Sequence, residues 1–163
     1  MRGTQPTTHN TFRGFTLIEL LVVIGILAVL LAITLIAINP ARQFAQANNT
    51  KRRSDVNAIL NAVHQYAADN QGDITALNIT TTLQNISSAG SNFCTLVVPQ
   101  YIAALPSDPT VGTPVASANI IEADCTGVAN WDTGYDIQQI SDNSRITVSA
   151  PGAELSETIS VTR

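Results

Sequence analysis

Histidine and cysteine, which often carry catalysis or bind transition metals, are scarce in this chain. Its 163 residues include two of each. His9 lies in a polar N-terminal stretch, and His64 stands alone on a predicted helix. The sequence has no metal-ligand spacing, no phosphate-binding glycine loop and no nucleophile motif, and no neighbouring base activates its many serines. We therefore do not expect an enzyme.

Basic residues are few in the second half of the chain. From residue 74 to the C-terminus, eight acidic residues stand against two basic ones, Arg145 and Arg163, a net charge of −6. Phosphate backbones repel such a domain, so direct binding of nucleic acid is not expected. The basic run Lys51-Arg52-Arg53 lies on a predicted helix, where it is typical of a solvated or ion-paired face.

The sequence has one long apolar run, Phe15–Ile38, with a single charge, Glu19. As a helix it would be about 36 Å long, enough to cross a hydrocarbon core of about 30 Å. A secretory signal is the competing interpretation, but its apolar core is usually about 7–15 residues and ends in a small-residue cleavage site. This run is longer and ends at Asn39-Pro40. A membrane-spanning helix is the better interpretation.

The segment Arg13 to Val23, RGFTLIELLVV, resembles the prepilin leader and N-terminal segment of type IV pilins and pseudopilins. The resemblance implies that a dedicated prepilin peptidase cuts between Gly14 and Phe15 and methylates the new Phe15 amine. Residues 1–14 would then be a removed leader. The apolar helix 15–38 would stay attached, spanning the membrane first and lying in the core of a filament later.

A carboxylate within such a segment needs a partner, because inserting one costs roughly 2.5–3.5 kcal/mol. The resemblance assigns Glu19 the Phe15 amine of a neighbouring subunit. Two unit charges about 4 Å apart gain roughly 4 kcal/mol at an effective dielectric constant of 20, which is similar to the insertion cost. Pairing could therefore decide whether a subunit docks. The alternative is that Glu19 only reaches toward the membrane interface.

Helical periodicity continues after Pro40, where a kink or a local unwinding is expected. Val56, Ile59, Leu60, Val63 and Ala67 form one apolar stripe, and Gly72 is predicted as the residue that ends the helix. Residues 39–72 are therefore an amphipathic continuation of the apolar helix.

Residues 73–163 are predicted to form a globular head with an antiparallel sheet, which makes the fold class α+β. Short helices are expected over Thr81–Ile86 and after Pro99. Val111–Ala129 is expected to be an irregular segment. Period-two alternation then predicts three strands, with a turn at Ser141–Ser144. The motifs Pro106-Ser107-Asp108-Pro109 and Gly134-Tyr135 also resemble the corresponding region of pseudopilins and short pilins.

Cys94 and Cys125 are an even pair in a domain expected to be exported, so a disulfide is predicted; two buried free thiols are the alternative. Asp124, Asp132, Asp136 and Asp142 could supply oxygen ligands for calcium, as major pseudopilins do in a loop before their final strands. The spacing fits no EF-hand loop. An acidic surface without a metal or other cofactor is the preferred interpretation.

The resulting hypothesis is a structural, major-pilin-like subunit that forms a helical homo-oligomer. It would be inserted in the inner or cytoplasmic membrane as a single-pass precursor and moved by an assembly machine into a cell-surface filament. The alternatives are a pseudopilin of a type II secretion or DNA-uptake apparatus and a monomeric membrane-anchored binding protein.

Overall fold

The fold is described from a computed structural model that covers residues 14–89, 92–113, 119–127, 130–140 and 145–163. The predicted leader, apart from Gly14, and the predicted turn at Ser141–Ser144 lie outside these residues. The chain divides into two compact units, with the boundary between Pro40 and Ala41.

The first helix, α1, spans Leu17–Ile38, and none of its residues is buried. It begins after Thr16, whose extended backbone (φ −83°, ψ 151°) places its hydroxyl at the N-cap. It ends at Asn39, which has a left-handed φ of +46°, a conformation that asparagine tolerates better than most residues. Regular helical structure is therefore interrupted directly before Pro40, as that proline predicts.

The second helix, α2, spans Pro40–Asp69, with proline at the first helical position, where its missing N–H costs nothing. Four of the five residues of the predicted stripe are buried, and the fifth, Ala67, is half-buried. The left-handed residue that ends the helix is Gln71, one residue before the predicted Gly72. Gln71 occupies the left-handed C′ position, and the N–H of the following Gly72 donates to the Ala67 carbonyl at 2.7 Å, the long bond of a Schellman motif.

The segment after α2 differs from the prediction in two places. A 3₁₀ turn forms at Thr75–Leu77, and the predicted helix Thr81–Ile86 is instead the strand β1, Gln84–Ser87. The predicted helix after Pro99 is also wrong, because the helix α3 spans Phe93–Val97 and ends before that proline. Pairing and burial explain both differences: β1 joins the main sheet, and Phe93 and Val97 pack in the core.

The cysteine-containing region has more regular structure than predicted. The short strands β2 (Leu105–Pro106) and β3 (Asn119–Ile120) pair with each other, and the helix α4 spans Glu122–Gly127. Cys94 on α3 and Cys125 on α4 are bonded, with their Cα atoms 5.4 Å apart. The predicted disulfide is confirmed.

The predicted meander is also confirmed, as strands β4 (Asp132–Ile140), β5 (Arg145–Ala150) and β6 (Ile159–Thr162) pair antiparallel in sequence order. Strand β1 adds to the free edge of β4, so the order is β1-β4-β5-β6. The sheet buries one side against the α2 stripe. The core common to both includes Val56, Ile59, Leu60, Val63, Ile86, Tyr135, Ile137 and Val148.

Removing the disulfide should destabilise the fold, because the bond closes a loop of 31 residues. In the chain-entropy model a loop of this length contributes about 3–4 kcal/mol. We expect Cys94→Ser/Cys125→Ser to lower the free energy of unfolding by that amount. Urea titration of the full chain in detergent, followed by Trp131 fluorescence, measures it. A loss below about 1 kcal/mol would contradict the prediction.

Candidate assembly site

The predicted cleavage site lies on exposed, non-helical backbone. Gly14, Phe15 and Thr16 precede α1 and are exposed, and Phe15 is the most exposed large apolar residue of the described chain. Helical structure begins only at Leu17. The Gly14–Phe15 bond therefore lies outside the helix.

Glu19 lies at the third position of α1 and is held by Thr16 in a capping box. One carboxylate oxygen, Oε2, accepts hydrogen bonds from the Thr16 N–H at 2.8 Å and from the Thr16 hydroxyl at 2.7 Å. The Thr16 hydroxyl in turn accepts from the Glu19 N–H at 3.3 Å. The other oxygen, Oε1, accepts no hydrogen bond from the described residues. The carboxylate is thus fixed at the helix start with one oxygen available for a cation.

The rest of α1 offers an uninterrupted apolar surface. Among the described residues, α1 is the helix that is long and apolar enough to cross a membrane. Because no residue of α1 is buried within the chain, this surface must be covered by lipid or by other protein. Glu19 is the one charged side chain on it.

The second unit, Ala41–Arg163, here called the compact unit, contains a buried charge that the sequence did not predict. Arg52 is fully buried, although it lies in the basic run Lys51-Arg52-Arg53. Its Nε donates to Oδ2 of Asp108 at 2.7 Å and its Nη2 to Oδ1 of Asp108 at 2.9 Å. Its Nη1 donates to Oε2 of Glu154 at 2.9 Å and to Oδ1 of Asn49 at 3.0 Å, and Nη2 also reaches the Thr110 hydroxyl. The run is ion-paired, as predicted, but its central residue is not on the surface.

Asp108 is held so that it can receive Arg52. Its Oδ1 accepts from the N–H groups of Thr110 at 2.8 Å and Val111 at 3.0 Å. Two glycines let this loop lie close to the sheet. A Cβ on Gly134, whose φ is +75°, would lie 2.9 Å from the Asp108 Cβ, and one on Gly152 would lie 2.6 Å from the Val111 Cγ2.

Tyr135 and Lys51 complete the attachment of α2 to this loop. The Tyr135 hydroxyl donates to Asp55 at 2.8 Å, and Lys51 Nζ contacts both Asp55 at 2.7 Å and the Ser107 carbonyl at 2.6 Å. The motifs Pro106–Pro109 and Gly134-Tyr135 are therefore brought together around α2. They were the sequence signal that could have indicated this cluster.

The charges of the cluster stabilise one another. The hydrogen bonds that Arg52 donates to Asp108 raise the pKa of Arg52, so the guanidinium stays charged. Burial acts to raise the pKa of Asp108, but the hydrogen bonds from Arg52 and from two backbone N–H groups outweigh it, and that pKa is lowered. Hydrogen bonds from Asn48 and Arg52 lower the pKa of Glu154. Both carboxylates are thus held in their ionised forms.

The segment Glu154–Glu157, here called the 154–157 turn, is strained at its centre. Leu155 and Ser156 have φ values of +59° and +56°, and the Glu157 N–H donates to the Glu154 carbonyl at 3.2 Å. This is the pattern of a type I′ turn, which favours Asn-Gly. A left-handed residue other than Gly, Asn or Asp costs about 1–2 kcal/mol. The surrounding structure must hold this turn in place.

Side chains of α2 hold the 154–157 turn in place through hydrogen bonds. The Asn49 amide pairs with the Glu154 backbone, donating to its carbonyl at 2.8 Å and accepting from its N–H at 2.9 Å. Asn48 donates to the Glu154 carboxylate at 2.8 Å, and Arg53 donates to the Glu157 carboxylate at 2.7 Å. All of these contacts are made to the two flanking glutamates.

The three calcium candidates that the structure describes do not form a common site. Asp124 accepts the Ile121 N–H at 3.0 Å at the start of α4, and Asp132 accepts the Gly134 N–H at 2.7 Å. Asp136 is half-buried, and burial, followed by the charge of Asp132, raises its pKa. Within the part of the chain that the structure describes, no three acidic, histidine or cysteine side chains form a group that could hold a metal. Asp142 lies outside that part.

Replacing Arg52 should destabilise the compact unit more than replacing its neighbour. Arg52→Met leaves Asp108 buried without a counter-charge, and breaking such a pair costs about 3–5 kcal/mol. Arg53→Met removes a solvent-exposed pair with Glu157, worth about 0–1 kcal/mol. Urea titrations monitored by Trp131 fluorescence compare the two variants. Similar losses for both would contradict the assignment.

The same cluster should make stability depend on acid pH. The pKa values of Asp108 and Glu154 are lowered on folding, so their stabilisation is complete above the unfolded values of about 3.9 and 4.3. It is lost as the pH falls through the lower folded values. We expect the urea concentration at the unfolding midpoint of the wild type to decrease as the pH is lowered below about 4. The midpoint of Asp108→Asn should decrease less. Parallel curves for the two proteins would contradict this.

Comparison with known families agrees with the geometry of the N-terminal segment. A family model described as the prokaryotic N-terminal methylation motif matches residues 9–35. The matched range contains Gly14, Phe15, the Thr16–Glu19 capping box and most of α1. No curated protein and no solved structure matches the chain. The chain therefore carries the prepilin motif of type IV pilins and pseudopilins, which supports a precursor of one of these two kinds.

Proposed function

We propose that the chain is a structural subunit of a type IV pilus-type helical filament, cut after Gly14, methylated at Phe15 and assembled through α1. The observation that carries this proposal is the helix itself. All of its residues are exposed, and its single charged side chain is fixed at the end where cleavage would create an amine. In the filament, the apolar surface of α1 would be covered by other copies of the chain.

Apolar contact alone does not explain why such helices would leave the membrane for a filament. Lipid tails are as apolar as leucine, so moving α1 from lipid to protein gains little hydrophobic free energy. A charged pair between subunits would favour the filament, because lipid tails offer a charged group no partner of opposite charge. The Phe15 amine of one subunit and the free Oε1 of Glu19 in the next provide such a pair. Pairing would therefore select a docked, cleaved subunit.

The partners follow from this sequence of steps. A prepilin peptidase that also methylates would act on the precursor in the inner or cytoplasmic membrane, and an assembly machine would move the product to the cell surface. The acidic compact unit would face solvent. Because pseudopilins share the same motif, a subunit of a short fibre in a type II secretion or DNA-uptake apparatus is the second candidate.

Substitutions at Glu19 test the proposal in the native cells. Glu19→Ala removes both the charge and the capping box, whereas Glu19→Gln keeps a side chain that can form the capping box and removes only the charge. We expect both to lower filament yield by about an order of magnitude or more, with normal cleavage. Leu83→Ala, which shortens an exposed apolar side chain outside α1, is the control. Normal filaments from both Glu19 variants would rule out the proposed role of Glu19.

A further inference from the structure

The core between α2 and the sheet ends in an open cleft beside the segment that follows α2. The cleft has a volume of about 450 Å³, within the range of small-molecule sites. Side chains from α2, from segment 72–79 and from strands β4 and β5 line it. Its aliphatic members are Val63, Ala67, Ile74, Ile79 and Ile146. A short aliphatic chain can therefore lie against this surface without exposing it to water.

Gln139 places a polar side chain in the cleft at a position where the core would otherwise continue. It alternates along β4 with the buried residues Tyr135 and Ile137, so it lies on the side of the sheet that faces α2. Its cross-strand partner is Ile146 on β5. The Gln139 side-chain amide lines the cleft and forms no hydrogen bond with the described residues. Water or a ligand that enters the cleft must therefore satisfy this amide.

Asp73 contributes a fixed carboxylate to the same cleft. Its Oδ1 accepts hydrogen bonds from the Thr75 N–H at 2.9 Å and from the Thr75 hydroxyl at 2.7 Å, and these bonds lower the pKa of Asp73. Its Oδ2 accepts no hydrogen bond from the described residues. Among the described residues that line the cleft, His64 is the one other ionisable side chain. The cleft thus presents an ionised carboxylate with one oxygen available for a cation.

We propose that this cleft binds an aliphatic primary ammonium group, as found on free amines and on lysine side chains. An ammonium group carries three hydrogen-bond donors and no acceptor, and Asp73 Oδ2 and the Gln139 side-chain oxygen are acceptors. The aliphatic chain of the ligand lies on the apolar lining. No aromatic side chain lines the described part of the cleft, so a chain fits it better than a ring that gains by stacking.

The charge of the compact unit favours the same ligand. Residues 41–163 carry six basic and eleven acidic residues, and a net negative charge attracts cations and repels anions. The cleft lies entirely within the compact unit, and every contact that carries the inference is made inside it. The inference is therefore independent of the proposed filament.

Three probes of similar length separate the contribution of the charge from that of the aliphatic chain. Butylammonium, butanol and butyrate are titrated into the full wild-type chain in an uncharged detergent. Nuclear magnetic resonance follows the side-chain amide of Gln139 and the N–H of Thr75. We expect saturable shifts with butylammonium at a Kd of about 1–10 mM. Binding should be at least about tenfold weaker for butanol, which lacks the charge-assisted hydrogen bond, and absent for butyrate.

Two matched variants test the carboxylate. Asp73→Asn removes the charge but keeps an oxygen that can accept from Thr75, so it should weaken butylammonium binding at least about tenfold and leave the urea midpoint unchanged. Asp124→Asn is the control, because Asp124 also accepts a nearby backbone N–H but lies on α4, outside the cleft. It should bind butylammonium as the wild type does. Trp131 fluorescence measures the urea midpoints.

Several results would overturn the inference. They are binding of butanol or butyrate as tight as that of butylammonium, no saturable shifts with butylammonium, and an unchanged Kd in Asp73→Asn. An equal loss in Asp124→Asn would indicate nonspecific attraction to the acidic unit and would also overturn it. The comparison of probes uses the wild type, so it decides the question even if a variant does not fold.

A fourth probe, N-acetyl-lysine methylamide, distinguishes the two sources of the ammonium group. Binding as tight as that of butylammonium supports a lysine side chain of another protein as the natural ligand. Binding at least about tenfold weaker supports a free amine, because the peptide groups then do not fit beside the cleft. None of these outcomes changes the test of Glu19 in filament assembly.

Discussion

The compact unit depends on one buried interaction, the ion pair of Arg52 with Asp108. A buried guanidinium is tolerated only when its donors are satisfied, and here five hydrogen bonds do so. The partners come from α2, from the loop at Asp108–Thr110 and from the 154–157 turn, which are far apart in the sequence. The folded unit therefore joins three segments that are distant in the sequence through one side chain.

The apolar helix α1 differs from the compact unit in this respect. One oxygen of its single carboxylate is bound locally, because Thr16 donates to Oε2 of Glu19 within the first turn, while its apolar surface is not buried within the chain. The compact unit satisfies its own polar groups: among the described residues, every buried side-chain nitrogen and oxygen has a hydrogen-bond partner. The compact unit thus buries its own apolar core and pairs its buried polar groups, whereas the apolar surface of α1 is left exposed. This asymmetry is what a subunit that assembles through its N-terminal helix requires.

Features governed by local periodicity were predictable from the sequence. The α2 stripe and the β4–β6 meander follow from spacings of 3.6 and 2, and the N-terminal motif is contiguous. Strand β1 was missed because Gln84–Ser87 follows a threonine-rich stretch without alternation, and its pairing depends on β4. Arg52 was missed because its position in a basic run is typical of a surface, while its partners lie 56 and 102 residues away. The basic run itself carries no sign of this long-range pairing; the only sequence signal for it lies in the motifs at Pro106–Pro109 and Gly134-Tyr135.

The central claim is that this chain is a prepilin whose cleaved N-terminus takes part in assembly. Intact-mass analysis, with N-terminal peptide sequencing, of the protein purified from native membranes and from surface-shed material tests it most directly. The account predicts a chain that begins at Phe15 and carries one added methyl group on its amine, in both fractions. A chain that retains residues 1–14, or one cut elsewhere and unmethylated, would contradict it.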